Sequence, residues 1–155
     1  SCGLRSMKRR QSTKQTWLSV PAMTSEQLYV VDTNALIWHL SNDRKLSSQA
    51  RQIFVAAERG ETLLVISSVV LAELYYADKK FNLFGDFGAL FRRLQAAPQY
   101  RFASFDAEDV PNFDRQTDVP EMHDRIIVGL ARRLGAPLIT SDPVITNASS
   151  IEVAW

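Results

Sequence analysis

Cysteine is almost missing from this chain. Cys2 is the only one among 155 residues, so an intrachain disulfide is impossible and a zinc site built on thiolates is excluded. Histidine is nearly as scarce: His39 and His123 are the only two, too few for a histidine-rich transition-metal centre. No apolar run approaches the roughly 20 residues that a membrane-spanning helix needs. The want of disulfides favours a reducing, cytoplasmic setting. A strong charge of one sign is missing too, since 18 basic residues stand against 17 acidic ones. Five of the basic residues (Arg5, Lys8, Arg9, Arg10 and Lys14) fall in the first 14 positions, which hold no acid. Without them 13 basic residues face 17 acidic ones. The remainder is mildly acidic, so bulk charge does not favour nucleic acid, and any such binding needs local basic patches or bound metal.

What is present suits one folded domain. The length allows a sizeable core, and 46% hydrophobic with 23% charged residues is ordinary for a globular chain. Residues 1–22 have no helical period and no apolar stretch long enough for a secretory signal. They read as a basic extension, possessing the charge of an RNA-touching arm. Met23 is expected as the natural start, and residues 23–155 as the domain.

The organising stretch is Tyr29-Val30-Val31-Asp32-Thr33-Asn34. A continuous apolar run suits a strand buried on both faces. Asp32 then stands where strand gives way to helix, the edge at which open α/β sheets bind ligands. Helices are expected over 33–40 and 47–59, the second stopped by Gly60. Strand 63–66 leads into a helix over 69–80, capped by Ser67 or Ser68. A Phe-rich helix is read over 81–97, with a break near Gly85 or Gly88. Strand 101–105 follows, then a capping box at Asp106–Asp109. A long helix runs from Pro120 to Leu134 and stops at Gly135. Strands are read at 138–140 and 151–154. Strands alternating with helices predict a three-layer α/β/α sandwich around a parallel sheet.

Four acids fall at comparable places: Asp32, Glu73, Asp124 and Asp142. Each has an ordinary explanation, namely a helix cap for Asp32, a salt bridge for Glu73, an ion pair for Asp124 and a turn for Asp142. Glu73 nevertheless has Val69, Val70, Tyr76 and Ala77 at helical spacing, and Asp124 has Ile127, Val128 and Ala131. A carboxylate on an apolar stripe is costly unless paired or metal-bound. Four gathered carboxylates repel one another, and Mg²⁺ or Mn²⁺, hard cations suited to oxygen ligands, would remove that repulsion. Such a site activates water and stabilises charge on a phosphodiester.

Val-Val-Asp-Thr-Asn-Ala-Leu-Ile-Trp at 30–38, Ser-Ser-Val-Val-Leu-Ala-Glu-Leu at 67–74, Pro-Glu-Met-His-Asp-Arg-Ile-Ile at 120–127 and Leu-Ile-Thr-Ser-Asp at 138–142 stand in one order. In this set the chain resembles the PIN-domain nucleases, and more narrowly the VapC-type toxins of toxin–antitoxin pairs. The resemblance covers about 28 to 155 and carries the family's acids onto Asp32, Glu73, Asp124 and Asp142. It implies metal-dependent endoribonuclease activity, a small antitoxin partner and a homodimer.

Further candidates are weaker. Thr33, Asn34, Thr140 and Ser141 flank the acids and are candidates to orient them. His123 and Asp118 are candidate neighbours of the cluster. Lys79, Lys80 and Arg125 are candidate RNA contacts, as are the pairs Arg92–Arg93 and Arg132–Arg133. The aromatic run from Tyr75 to Phe91 exceeds what one helix face needs, so Phe81, Phe84 and Phe87 are candidates for a partner surface. Two rivals stay open: a PIN-like module that binds RNA or protein without cutting, and a receiver-like Mg²⁺-binding signalling domain. The second normally shows adjacent acids after strand one and a lysine after a late strand; here Asp32 stands alone and Thr140-Ser141-Asp142 offers no lysine.

Overall fold

The computed structural model describes residues 27–148 and 151–155. Residues 1–22, Cys2 and Met23 lie outside them, and with them the expectations of a basic extension and of a start at Met23.

Strand β1, Gln27–Val31, is the middle of a five-stranded sheet. Val30 and Val31 are both fully buried. Successive strand side chains point to opposite faces, so both faces of the sheet are covered. Leu64, Val65 and Ile66 say the same of β2, Thr62–Ser67. β2 lies along one side of β1, with Val30 beside Val65. β4, Leu138–Ile139, lies along the other, with Val31 beside Ile139. β3, Tyr100–Ala103, and β5, Val153–Ala154, form the edges. All pairings are parallel and the order is β3-β2-β1-β4-β5. The expected α/β/α sandwich with a central parallel sheet is the observed fold.

The helices are α1, Thr33–Leu40; α2, Ser48–Glu58; α3, Ser68–Phe81; α4, Phe87–Ala96; α5, Met122–Leu134; and the one-turn α6, Pro143–Thr146. Ser47 caps α2 through its hydroxyl, and Gly135 ends α5 at φ +58°, where a side chain is strained. Ala107–Gln116 forms 3₁₀ turns, opened by the expected capping box, with Asp106 N–H donating to Asp109 Oδ2 at 2.8 Å. Among the described residues, no helix is long and apolar enough to cross a membrane.

The structure corrects the sequence reading in several places. The Phe-rich helix begins at Phe87, not at residue 81. Phe81 still belongs to α3, which ends at Asn82 in a left-handed conformation, and Gly85 at φ +75° completes the turn. Buried Asp78 holds this turn by accepting from Phe84 N–H at 2.7 Å, and Asp86 starts the new helix by capping Ala89 N–H. β3 stops at Ala103, two residues early. Helix α6 was not anticipated; Asp142 caps it by accepting from Val144 N–H at 2.9 Å.

Candidate active site

The chain moves outward from β1 through β2 to β3, then returns past β1 to β4 and β5. The order therefore reverses between β1 and β4, and the carboxyl ends of two adjacent strands open a crevice there. Asp32 directly follows β1 and Thr140 directly follows β4. The receiver-like rival requires the order 2-1-3-4-5, which this sheet does not have.

Asp32 is 9% exposed and serves as the N-cap of α1. Its Oδ1 accepts from Thr33 N–H at 2.8 Å and its Oδ2 from the Thr140 hydroxyl at 2.6 Å. Thr140 is 1% exposed. Its Oγ1 also accepts from Asp142 N–H at 3.1 Å, so one hydroxyl links two of the acids. Glu73, on the second turn of α3, accepts from the Thr33 hydroxyl at 3.0 Å. Asp124 lies in the first turn of α5, with Ile127, Val128 and Ala131 buried along its side of the helix as the spacing predicts. Glu73 differs from expectation: Val70 is buried, but Tyr76 is 72% exposed, so Glu73 sits at the border of its apolar stripe.

The electrostatics join these acids. Burial, and then the charges of Asp32, Glu121, Asp142 and Glu73, push Asp124 up to about 6. Burial raises Asp32 against the hydrogen bonds from Thr140 and Thr33, and Asp142 raises it further. Burial also raises Glu73, opposed by the Thr33 hydroxyl and by His123. Among the described residues, every charged group acting on Asp124 is another carboxylate.

Glu121 is a fifth acid that the sequence reading passed over. It caps α5, accepting from Asp124 N–H at 2.8 Å, and stands 3.6 Å from His123 Nδ1. Burial works against its charge, but the Asp124 and His123 N–H groups and the His123 ring hold it below the usual glutamate range. Its position three residues before Asp124, at the start of a helix, was the available signal.

The donor set is all oxygen and strongly anionic, which fits a hard divalent cation. As the side chains stand, no three of His, Cys, Asp or Glu among the described residues come together tightly enough to hold an ion. Oxygens of Asp32, Glu73 and Asp142 already accept hydrogen bonds from Thr33, Thr140 and Val144 N–H.

The flanking candidates divide. Thr33 and Thr140 are buried and hydrogen-bonded to the acids, whereas Asn34 and Ser141 are exposed. Arg125 donates to the Val119 and Phe113 carbonyls. Arg132 pairs with Asp118 at 2.9 Å and Arg133 with Asp109 at 2.8 Å, so Asp118 is held by Arg132 rather than drawn into the cluster. Arg92 and Arg93 are exposed on α4. Lys79 and Lys80 are exposed, each over an aromatic ring, of Tyr75 and Phe81. Among the candidate partner residues, Phe81 is 63% exposed, but Phe84 and Phe87 pack against the core. Tyr75 and Tyr76 take their place on the exposed surface of α3.

Searching by sequence among curated proteins finds no match. Comparison of folds finds several. VapBC2 from Rickettsia felis, solved on a DNA fragment from its promoter, superposes with a TM-score of 0.61 at 18% identity, over 82% of this chain and 97% of that one. Mycobacterium tuberculosis VapC20, a sarcin–ricin loop cleaving toxin, gives 0.62 at 14% identity over 82% and 99%. A toxin–antitoxin complex from Klebsiella pneumoniae gives 0.54 at 22% identity over 79% and 90%. At these identities the likeness is one of fold. The family model of the PIN domain matches residues 29–150, which run from within β1 through all four acids and β4. On that match, which takes in most of its length, the chain belongs to the PIN domain family.

Proposed function

We propose that this protein is an endoribonuclease that hydrolyses RNA phosphodiester bonds with Mg²⁺ or Mn²⁺ held by Asp32, Glu73, Asp124 and Asp142, and that it is the toxin of a toxin–antitoxin pair. The carrying observation is the hydrogen-bond chain through Thr33 and Thr140 that ties Glu73, Asp32 and Asp142 together at the β1/β4 crevice, while burial and then, among the described residues, the charges of these acids and Glu121 raise Asp124. Such an arrangement is unfavourable in the protein alone and becomes favourable when a cation enters. A bound divalent ion supplies charge neutralisation to the phosphodiester and lowers the pKa of water. The protein's part is to hold the carboxylates in register. Asp32 is fixed by its cap and by Thr140, Asp142 by its cap on α6, and Glu73 by Thr33. The N-terminal end of α5 favours the anion of Asp124. Lys79 and Lys80 lie six or seven residues beyond Glu73, about 10 Å along the helix axis, and offer charge to RNA phosphates.

The test has two readouts. At neutral pH, Asp124→Asn should raise the melting temperature of metal-free protein by roughly 3–5 °C, corresponding to about 1 kcal/mol after allowing for the half-exposed position. Added Mg²⁺ or Mn²⁺ should then stabilise the wild type but not this variant, and should restore RNA cleavage after chelation. Stabilisation without cleavage would favour a PIN-like module that binds RNA or protein without cutting. Neither effect would remove the metal reading.

The partner reading rests on the aromatic surface of α3. Tyr75, Tyr76 and Phe81 are large exposed apolar groups on the helix that carries Glu73, and solved relatives of this fold include toxin–antitoxin complexes. A small antitoxin seated there reaches the acid edge, and the remaining surface serves a second copy of the chain. Tyr76→Glu with Phe81→Glu should weaken antitoxin binding or dimerisation at least tenfold in sedimentation measurements. Unchanged association in the folded variant would place the partner elsewhere.

A further inference from the structure

A cavity of about 220 Å³ is walled by α5, the 3₁₀ turns and the end of β3, and by helical spacing its α5 residues lie on the face away from Asp124. Its lining is not that of a packing defect. Phe105 and Phe113 stack nearly parallel, 6° apart, with ring centroids at 5.8 Å. Four arginines and one acid, Asp109, line it, and Arg132 is already paired with Asp118 outside the lining. Arg115 and Arg133 are exposed, and Arg133 is paired with Asp109. Gln116 also lines it, at 3% exposure, and its Oε1 is buried with no hydrogen-bond partner among the described residues. Gly129 makes room for that amide, since a Cβ there would stand 3.3 Å from Gln116 Nε2. Buried acceptors in folded proteins find donors, so an orphaned one on a side chain that lines a cavity asks whether that amide turns toward an occupant.

We propose that this cavity binds a nucleobase, with the Gln116 amide turning so that a ring N–H or exocyclic amine donates to its Oε1, the ring against Phe105 and Phe113, and the adjoining phosphate at exposed Arg115. Aromatic faces and guanidinium planes are how proteins hold unstacked bases. The volume falls below the roughly 300–1,000 Å³ of drug-sized pockets and suits one base. Helix α5 ties the cavity to the acids, because Asp124 is followed directly by Arg125 and Ile126 of the cavity wall. Ser67, also in the wall, caps the helix that carries Glu73. For a strand cut at the acids, this is a site that reads a neighbouring base, whereas phosphate contacts alone carry no sequence information. That role rests on the ribonuclease reading; the binding itself does not.

The experiment is an amide-resolved NMR titration without metal, on the full chain carrying Asp32→Asn and Asp124→Asn so that RNA stays intact. The probes are the four 5′-nucleoside monophosphates and a short single-stranded RNA. Saturable shifts at Gln116 and Gly129 are expected with at least one probe. Gln116→Leu, which keeps the bulk and removes the acceptor, should weaken that binding about fivefold or more. Arg115→Glu, at an exposed position that leaves the fold untouched, should weaken binding of the monophosphate but not of the matching nucleoside. Shifts with RNA alone identify the strand as the source of the base, and shifts with mononucleotides alone identify a free nucleotide. No saturable shift with either, or equal affinities in both variants, overturns the proposal and leaves water as the occupant. Because metal is absent throughout, a failure here is distinct from a failure to find metal-dependent cleavage in the wild type.

Discussion

Replacing Asp32 and Asp124 together by asparagine is expected to abolish RNA cleavage, by at least about 10³-fold, while the protein stays folded. Two charges are removed from the crevice, and an amide binds a hard cation poorly. The fold should survive because position 32 keeps an oxygen to cap Thr33 N–H and because the repulsion that raises Asp124 is relieved. Circular dichroism and melting would establish folding, and a fluorogenic RNA with a denaturing-gel readout would establish cleavage. Cleavage surviving undiminished in pure, folded double variant would mean that the chemistry lies elsewhere, or that a contaminating nuclease had been measured. The single variants separate those outcomes, since each should already lose most of the rate.

Thr140→Val should lower cleavage about 10- to 100-fold and destabilise the protein, although Thr140 touches no substrate in the proposed reaction. Its hydroxyl donates to Asp32 Oδ2 at 2.6 Å and accepts from Asp142 N–H at 3.1 Å. Valine keeps the shape and removes both bonds, leaving buried polar groups unsatisfied at a cost of about 1–3 kcal/mol. Thr140→Ser restores the hydroxyl and should recover most of the activity, which a purely steric role would not require. Raising the metal concentration should also rescue Thr140→Val in part, because its carboxylates remain present but less well held. If Thr140→Val cuts RNA at the wild-type rate, the shared hydroxyl is a structural link and does not position the acids.

The local devices were legible in the sequence because they act over a few residues. An unbroken apolar run, Tyr29 to Val31, has only one comfortable place, a strand covered on both faces, and Asp32 behind it caps the next helix whatever the rest of the chain does. Ser47, Gly60 and Gly135 mark helix ends by similarly short-range chemistry. The spacing around Asp124 placed it on a buried stripe, and it lies there. In the Phe-rich segment the break expected near Gly85 is present, but its start at Asn82 was missed because composition alone does not register a left-handed residue there, and the buried Asp78 that holds the turn is an ordinary acid by type.

What only the tertiary structure decided is which groups meet. Thr140 and Asp32 are 108 residues apart, and they touch because β4 pairs with β1 at the point where the strand order reverses. Another sheet order would separate them with no change in any local signal. The same holds for Arg132 and Arg133, which read as a free basic pair and are tied to Asp118 and Asp109. It holds for Phe84 and Phe87, which pack inward while Tyr76 stays exposed. Local sequence sets the conformation of a few residues at a time; long-range pairing, settled by how strands and helices cover one sheet, sets the charge and burial that a side chain meets.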